Sequence, residues 1–305
     1  MSGLTSGLTT MTYGQFLVVF LLLPIAGLAF LMLRAGRQKR MDQKRLQGVN
    51  RWWLLTGLVI LAIVYTIPWD NHLIAEGVWW YNSSLLSGVM LGHIPLEEVL
   101  FFPLQTILIG LWTLWLMPRL AGDVHGATSG DGAPDGAGME TGRVTLDGAW
   151  KVDISDSGVQ RRTAARANGS IIRWIAVIAS IAIWLVALLV LLQAWGQATY
   201  LGWELVWALP PLTLQLGLGA DLLWRRRRLL LAALLPVVAY LGAADALAIH
   251  TGIWTIAPRW SLGALVGGAL PLEELIFFLL TSTLVIGGLI VGAAPEARQR
   301  VHLSS

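Results

Sequence analysis

Runs of apolar residues about 20 long, enough to cross a hydrocarbon core as helix, recur along the chain between shorter polar stretches. They fall at approximately 14–33, 52–68, 96–117, 171–194, 201–223, 229–249 and 270–292 and predict seven transmembrane helices. Basic charge alternates between the connections. The stretch 34–51 carries Arg34, Arg37, Lys39, Arg40, Lys44, Arg45 and Arg51, whereas 69–95 has no Lys or Arg. Arg161, Arg162 and Arg166 precede span four, 195–200 has none, Arg225 to Arg228 follow span five, 250–269 has only Arg259, and the C-terminal tail has Arg298 and Arg300. Cytoplasmic loops carry the Lys/Arg excess, so the chain is expected N-outside and C-inside, which an odd number of spans also requires. Residues 121–142, rich in Gly, Asp, Ala and Ser, predict a disordered stretch within a flexible cytoplasmic linker, 119–170.

Composition agrees with a bilayer as solvent. Of 305 residues 56% are hydrophobic and 13% charged, with a mean hydropathy of +0.67, against about 25% charged in soluble domains. The absence of cysteine excludes disulfides, thiolate metal sites and a Cys nucleophile. Sixteen Trp suit interfacial belts. Met1 to Thr12 places no basic region before the first apolar run, so no signal peptide is expected there. The net charge of +3 matters less than its distribution, and no nucleic-acid partner is expected.

The two halves match each other. Thr12-Tyr13 precedes Pro24 as Thr199-Tyr200 precedes Pro211; Asp70, Gly77 and Trp79 recur 175 residues on as Asp245, Gly252 and Trp254. Pro95-Leu96-Glu97-Glu98 with Phe101-Phe102 recurs 176 residues on as Pro271-Leu272-Glu273-Glu274 with Phe277-Phe278. Spans one to three thus match spans five to seven with span four between, so the copies share one orientation. The predicted fold is an all-α polytopic protein with two parallel three-helix repeats, 1–118 and 196–305, joined by the linker and a connector span, 171–195.

Pro95 and Pro271 suit a first helical turn, where a missing N–H is harmless, and place the glutamates near the outer side. Alternatively, Leu85 to Ile94 belong to the same helix and Pro95 kinks it, sinking the glutamates deeper. Acidic residues at a helix start complement its dipole, but intramembrane carboxyls are retained for function, and two identical pairs favour function. Adjacent carboxyls in low dielectric resist ionisation, which suits a general acid with a neighbouring base. Glu97 and Phe101, Glu98 and Phe102, Glu273 and Phe277, and Glu274 and Phe278 each lie one helical turn apart. Aromatic faces stabilise cations, so this pairing suits proton addition to an alkene; alone, the Phe pairs would read as packing. Asp70 and Asp245, at the outer ends of spans two and six, read as caps or hydrogen-bond acceptors. His72, His93 and His250 share the outer side while His125 and His302 are cytoplasmic. No two have the i, i+3 or i, i+4 spacing of a helical metal site, so no metal is expected.

These residues resemble the carotenoid cyclase family of the heterodimeric or fused lycopene cyclase type. The likeness runs through Pro68-Trp69-Asp70-Asn71, Gly77 to Tyr81 and His93 to Thr106. It resumes at Asp245, Gly252-x-Trp254 and Pro271 to Phe278, covering both membrane halves but not the linker. It implies an acid/base, non-redox cyclisation of the linear ψ ends of lycopene to β-ionone rings, giving β-carotene by way of γ-carotene. It implies no cofactor, and Gly217-Leu218-Gly219 lacks the third glycine of a dinucleotide fingerprint. It maps acid/base roles onto Glu97, Glu98, Glu273 and Glu274, with Phe101, Phe102, Phe277, Phe278, Trp79 and Trp254 as substrate contacts and Asp70, Asp245, Pro95 and Pro271 in support. Implied partners are lycopene, membrane lipids and other carotenoid-biosynthesis enzymes, in a multi-pass protein of the cell membrane.

An ε-, one-ended or longer-chain carotenoid cyclase would carry the same motif. An ion-coupled transporter also has repeats and intramembrane carboxyls. A retinal photoreceptor needs a lysine in the last span, and Lys39, Lys44 and Lys151 are the only lysines.

Overall fold

A computed structural model describes residues 11–38, 50–120, 156–193 and 196–304, with no account of the side chains of 36–38, 156–167 and 301–304. Most of the expected linker (121–155), all three lysines, His125 and the His302 side chain lie outside the described residues. Among the described residues seven helices are long and apolar enough to cross a membrane. The first, α1, joins Tyr13–Leu17, a π-helical turn Val18–Leu22 and Leu23–Gln38; α2 is Arg51–Ala75, α3 Leu96–Leu120, α4 Asp156–Leu192, α5 Thr199–Arg225, α6 Arg227–His250 and α7 Leu272–Gly292. A short terminal helix, α8 (Pro295–Ser304), follows. The chain is therefore an all-α polytopic membrane protein.

Local chemistry sets the helix ends. Thr12 and Gln15 form a reciprocal capping box at the start of α1, and the Asn50 side chain accepts from the Trp52 N–H to start α2. α2 continues past the expected end at residue 68, through Pro68, to Ala75. Proline removes one backbone hydrogen bond, and the turns beyond it bury Trp69, Asp70 and Leu73 inside the bundle. Asp70 and Asp245 consequently lie inside α2 and α6, a turn or more before the helices end.

Both helices finish in the same glycine turn. Gly77 and Gly252 have φ of 69° and 74°, a left-handed conformation that suits glycine. The Gly77 and Val78 N–H groups donate to the Ile74 and Leu73 carbonyls, and those of Gly252 and Ile253 to Ile249 and Ala248, the Schellman pattern. Val78 and Ile253 then plug into the core, and the chain leaves as short strands, β1 (Trp79–Tyr81) and, from the second half, β4 (Trp254–Ile256).

β1 and β4 pair antiparallel, Trp79 with Ile256, Trp80 with Thr255 and Tyr81 with Trp254. Trp80 and Thr255 hold matching sequence positions, so the two halves meet there with equivalent residues face to face. The same happens within the bundle, where Gln105 Nε2 donates to Oγ1 of its counterpart Thr281 at 3.0 Å. Other contacts come in matched pairs: Tyr65 donates to the Trp207 carbonyl at 2.8 Å and Tyr240 to the Phe20 carbonyl at 3.0 Å.

Residues 85–94 do not continue α3 as α-helix. A 3₁₀ turn (Ser83–Leu85) leads to a hairpin of β2 (Met90–Leu91) and β3 (Ile94–Pro95). β5 (Leu265–Val266) and β6 (Leu270–Pro271) form the equivalent hairpin. Pro95 and Pro271 thus stand immediately before α3 and α7, the first of the two placements read from the sequence. α4 packs against α5, where the Trp184 indole N–H donates to the Val206 carbonyl at 3.1 Å. α8 is fixed to α5 by Arg300, whose guanidinium meets both carboxylate oxygens of Asp221 at 2.9 and 2.8 Å, with Arg173 of α4 at 3.3 Å.

Candidate active site

The two motifs converge on one cavity of about 50 Å³ at the ends of α2, α3, α6 and α7. Glu98 and Glu274 line it together, as do Phe101, Phe102, Phe277, Phe278, Trp79, Trp254, Asp70 and Asp245. All of these side chains are buried. The helix starts at Leu96 and Leu272 aim the second glutamate of each pair inward, one turn before its phenylalanine. The glycine turns swing Trp79 and Trp254 over the same space.

The first glutamate of each pair is placed differently. Glu97 Oε1 accepts from the Ser87 N–H at 2.6 Å, and Glu273 Oε1 from the Leu262 N–H at 2.7 Å. Ser87 and Leu262 hold equivalent sequence positions in the loops before α3 and α7, so Glu97 and Glu273 tie those loops to the helix starts. Neither lines the cavity. The geometry thus separates the members of each pair into a cavity carboxyl and a loop anchor.

Four contributors to the cavity were not assigned a role from the sequence: Tyr13, Tyr200, Trp69 and Tyr81. The Tyr13 hydroxyl donates to Glu98 Oε2, and Tyr200 to Glu274 Oε1 at 2.6 Å. The repeated Thr-Tyr pair was the available signal; its spacing marked the duplication but not the direction of the phenols. Tyr81 also donates to Glu98, and receives the Trp79 indole N–H at 3.1 Å. Burial, then the charge of Glu98, push the Tyr81 phenol well above its ordinary range, so it stays a hydrogen-bond donor. Its counterpart is Ile256, and Glu274 has one phenol donor where Glu98 has two.

Aromatic faces enclose these acids. Trp69 stacks on Trp207 at 4.6 Å and on Phe277 at 6.2 Å, and Trp79 meets Tyr200 at 5.4 Å. Across the cavity Tyr13 lies 5.2 Å from Trp254 and 5.9 Å from Tyr81. Such rings suit a transient cation. One buried oxygen each of Asp70 and Asp245, and the Trp69 indole nitrogen, lack a hydrogen-bond partner, leaving polar atoms at the cavity for water or a reacting group. His93 Nδ1 lies 3.1 Å from Asn71 Oδ1 and His72 packs on Trp203 at 4.9 Å; neither lines the cavity.

The arrangement combines two carboxyls able to give and take protons, held by phenols, inside a cation-tolerant aromatic box. The lycopene cyclase family matches this chain over residues 8–116 and 197–289. A lycopene beta-cyclase of Halobacterium salinarum (strain R1) is 35% identical over 291 residues, spanning 95% of this chain and the whole of that protein. A bifunctional lycopene cyclase/phytoene synthase of Leptosphaeria maculans is 32% identical over 233 residues, 76% of this chain and 34% of that protein. A Neurospora crassa protein of the same description is 31% identical over 256 residues, 79% of this chain and 35% of its own. No solved structure matches the chain. With both motifs inside the matched segments, the chain belongs to the lycopene cyclase family.

Proposed function

We propose that the protein is a lycopene β-cyclase of the cell membrane. In this reading it is N-outside and C-inside, with parallel repeats 1–118 and 196–305 joined through the 119–170 linker and the connector span 171–195. One observation carries the proposal: Glu98 and Glu274, matched positions of the two motifs, line a single aromatic cavity.

A proton adds to C2 of a ψ end group, leaving a cation at C1. The C5=C6 double bond attacks C1, forming the C1–C6 bond and moving the cation to C5. Loss of the C6 proton gives the β ring. One proton enters and one leaves, so the product is an isomer of the substrate. Glu98 accepts from two phenols and is assigned as the base; Glu274 accepts from one and is assigned as the acid. Phe101, Phe102, Phe277, Phe278, Trp79 and Trp254 stabilise the cation and shape the ring. Asp70 and Asp245 hold water for returning the proton from Glu98 to Glu274 between turnovers. Glu97 and Glu273 act as positioning residues through the outer loops, and Pro95 and Pro271 set the helix starts that aim the cavity carboxyls. The fungal relatives, whose descriptions join a cyclase to a phytoene synthase, support contact with other carotenoid-biosynthesis enzymes.

The test is expression in a lycopene-accumulating bacterial host followed by pigment chromatography. Conversion to γ- and β-carotene is expected. Unchanged lycopene with the protein present in membranes would overturn the proposal.

A further inference from the structure

A second, larger hollow adjoins the carboxylate cavity and shares two walls with it. Phe102 and Phe277 line both. From them a groove of about 430 Å³ runs between α2, α5 and α7 past Tyr65, Ile109, Leu218 and Gly288 to Ala297 at the start of α8. Its lining is largely aliphatic and aromatic. Leu61 and Leu214, on its edge, are 53% and 72% exposed, so it opens sideways between α2 and α5 toward the lipid.

The groove breaks the equivalence of the halves. At its floor α7 presents Gly288 and Gly292, with Gly288 facing the Leu58 side chain. The matched positions on α3 are Trp112 and Leu116. The Trp112 indole N–H crosses to the carbonyl of Ala233, the counterpart of Leu58, at 3.1 Å, and its ring stacks on Trp115 at 5.3 Å. Where one half has two glycines, the other has a bulky side chain spanning to the neighbouring helix.

We propose that this groove is the binding site for the extended polyene of the substrate while one end lies in the carboxylate cavity. The inference rests on the cyclase reading above. The 15 residue steps from Phe277 to Gly292 span about 22 Å at ~1.5 Å per step. A rod-like carotenoid about as long as the ~30 Å hydrocarbon core is thick therefore fits with its reacting end beyond Phe102 and Phe277. An apolar chain from the bilayer needs the lateral opening, and the one charged side chain in the lining, Arg298, belongs to α8 at the groove's far end, away from Phe102 and Phe277. With one groove serving one cavity, the two ends of lycopene react in separate visits. On the second visit the groove holds the end that already carries a ring.

Two bulky substitutions test this. Gly288→Trp reproduces on α7 the residue that α3 carries, and Leu214→Trp adds bulk at a side chain that loses no buried contact. Gly27→Trp, at the α1 position matching Leu214 and with open space around it, is the control. In lycopene-containing vesicles the two groove variants should convert lycopene at least tenfold more slowly than the wild type, with the control unchanged and all accumulating equally. Should Gly288→Trp fail to accumulate, the Leu214→Trp and Gly27→Trp pair decides. Equal conversion by the groove variants and wild type would overturn the groove assignment, as would equal loss in the control. So would purified protein holding a phospholipid that lycopene does not displace. An inactive wild type would remove the cyclase reading itself and the groove's occupant with it, an outcome distinguished by the wild-type lane alone.

Discussion

Replacing each glutamate of one motif by glutamine separates the two jobs that the geometry gives them. Glu98→Gln keeps the side-chain shape and an amide oxygen that can still accept from Tyr13, so the cavity stays folded around it. What disappears is the carboxyl proposed to transfer the proton, and positioned acid/base groups contribute about 10²- to 10⁴-fold, or ~2.7–5.5 kcal/mol of barrier. Glu97→Gln behaves differently because its contact is one hydrogen bond, from the Ser87 N–H at 2.6 Å. Glutamine preserves the acceptor and loses only its charge assistance, the difference between ~1.5–3 and ~0.5–1.5 kcal/mol. That change of about 1 kcal/mol loosens the loop at Ser87 and lowers turnover by less than about tenfold. The assay is initial-rate conversion of vesicle-borne lycopene by purified protein, quantified by pigment chromatography, with thermal unfolding measured on the same samples. Glu274→Gln and Glu273→Gln should repeat the contrast. Equal loss of turnover at Glu97 and Glu98, with both proteins folded, would refute the division into cavity carboxyl and loop anchor.

Other consequences can be measured independently. In D₂O, Glu98→Gln keeps the assigned acid, so lycopene recovered after incubation should carry deuterium at C2, whereas Glu274→Gln should leave it unlabelled; the reverse pattern would exchange the two roles. Tyr200→Phe removes the only phenol on Glu274 and Tyr13→Phe one of two on Glu98, so turnover should fall further in the first variant, read as the ratio of their initial rates. Gly252→Ala meets open space but must hold φ near 74°, and a left-handed residue costs about 1–2 kcal/mol, a loss visible in thermal unfolding. Asp221→Ala removes the carboxylate that Arg300 and Arg173 share. Breaking a fully buried pair costs about 3–5 kcal/mol; with the arginine side chains about a quarter exposed, roughly 2–3 kcal/mol is expected, shown by a lower unfolding temperature with little change in turnover per folded molecule.

Much of the fold was legible because the bilayer imposes a simple code. A helix must satisfy its own backbone groups in lipid, so apolar length alone found seven spans. The boundary errors came where inward packing overrides that code. Pro68 and Asp70 read as the end of span two, yet they continue α2 because the side chains beyond Pro68 face the interior rather than lipid. The cavity carboxyls were legible as repeated acids, but their division was not. Glu97 and Glu98 are adjacent in sequence, and only the direction of the helix start and the path of the hairpin from Ser87 decide which faces inward. The tyrosines were harder still, since Tyr13 lies 85 residues from Glu98 and no spacing rule joins them.

Duplication by itself would give a symmetric pair of identical carboxyls, but cyclisation needs opposite tasks at its two proton transfers. In the proposed assignment the departures from symmetry meet that need. Tyr81, where the other half has Ile256, gives Glu98 a second donor; Trp69, where it has Ala244, places an indole against Phe277; Gly288, where it has Trp112, opens a groove on one side. Residues near the junction stay paired, with Trp80 opposite Thr255 and Gln105 bonded to Thr281, because each contact there needs both halves at once. Since each half supplies one cavity carboxyl and one strand of the β1–β4 pair, neither half alone can build the site. A β4 that could not pair, as with Trp254→Pro, would therefore remove Glu98's aromatic cover as well as its own half's.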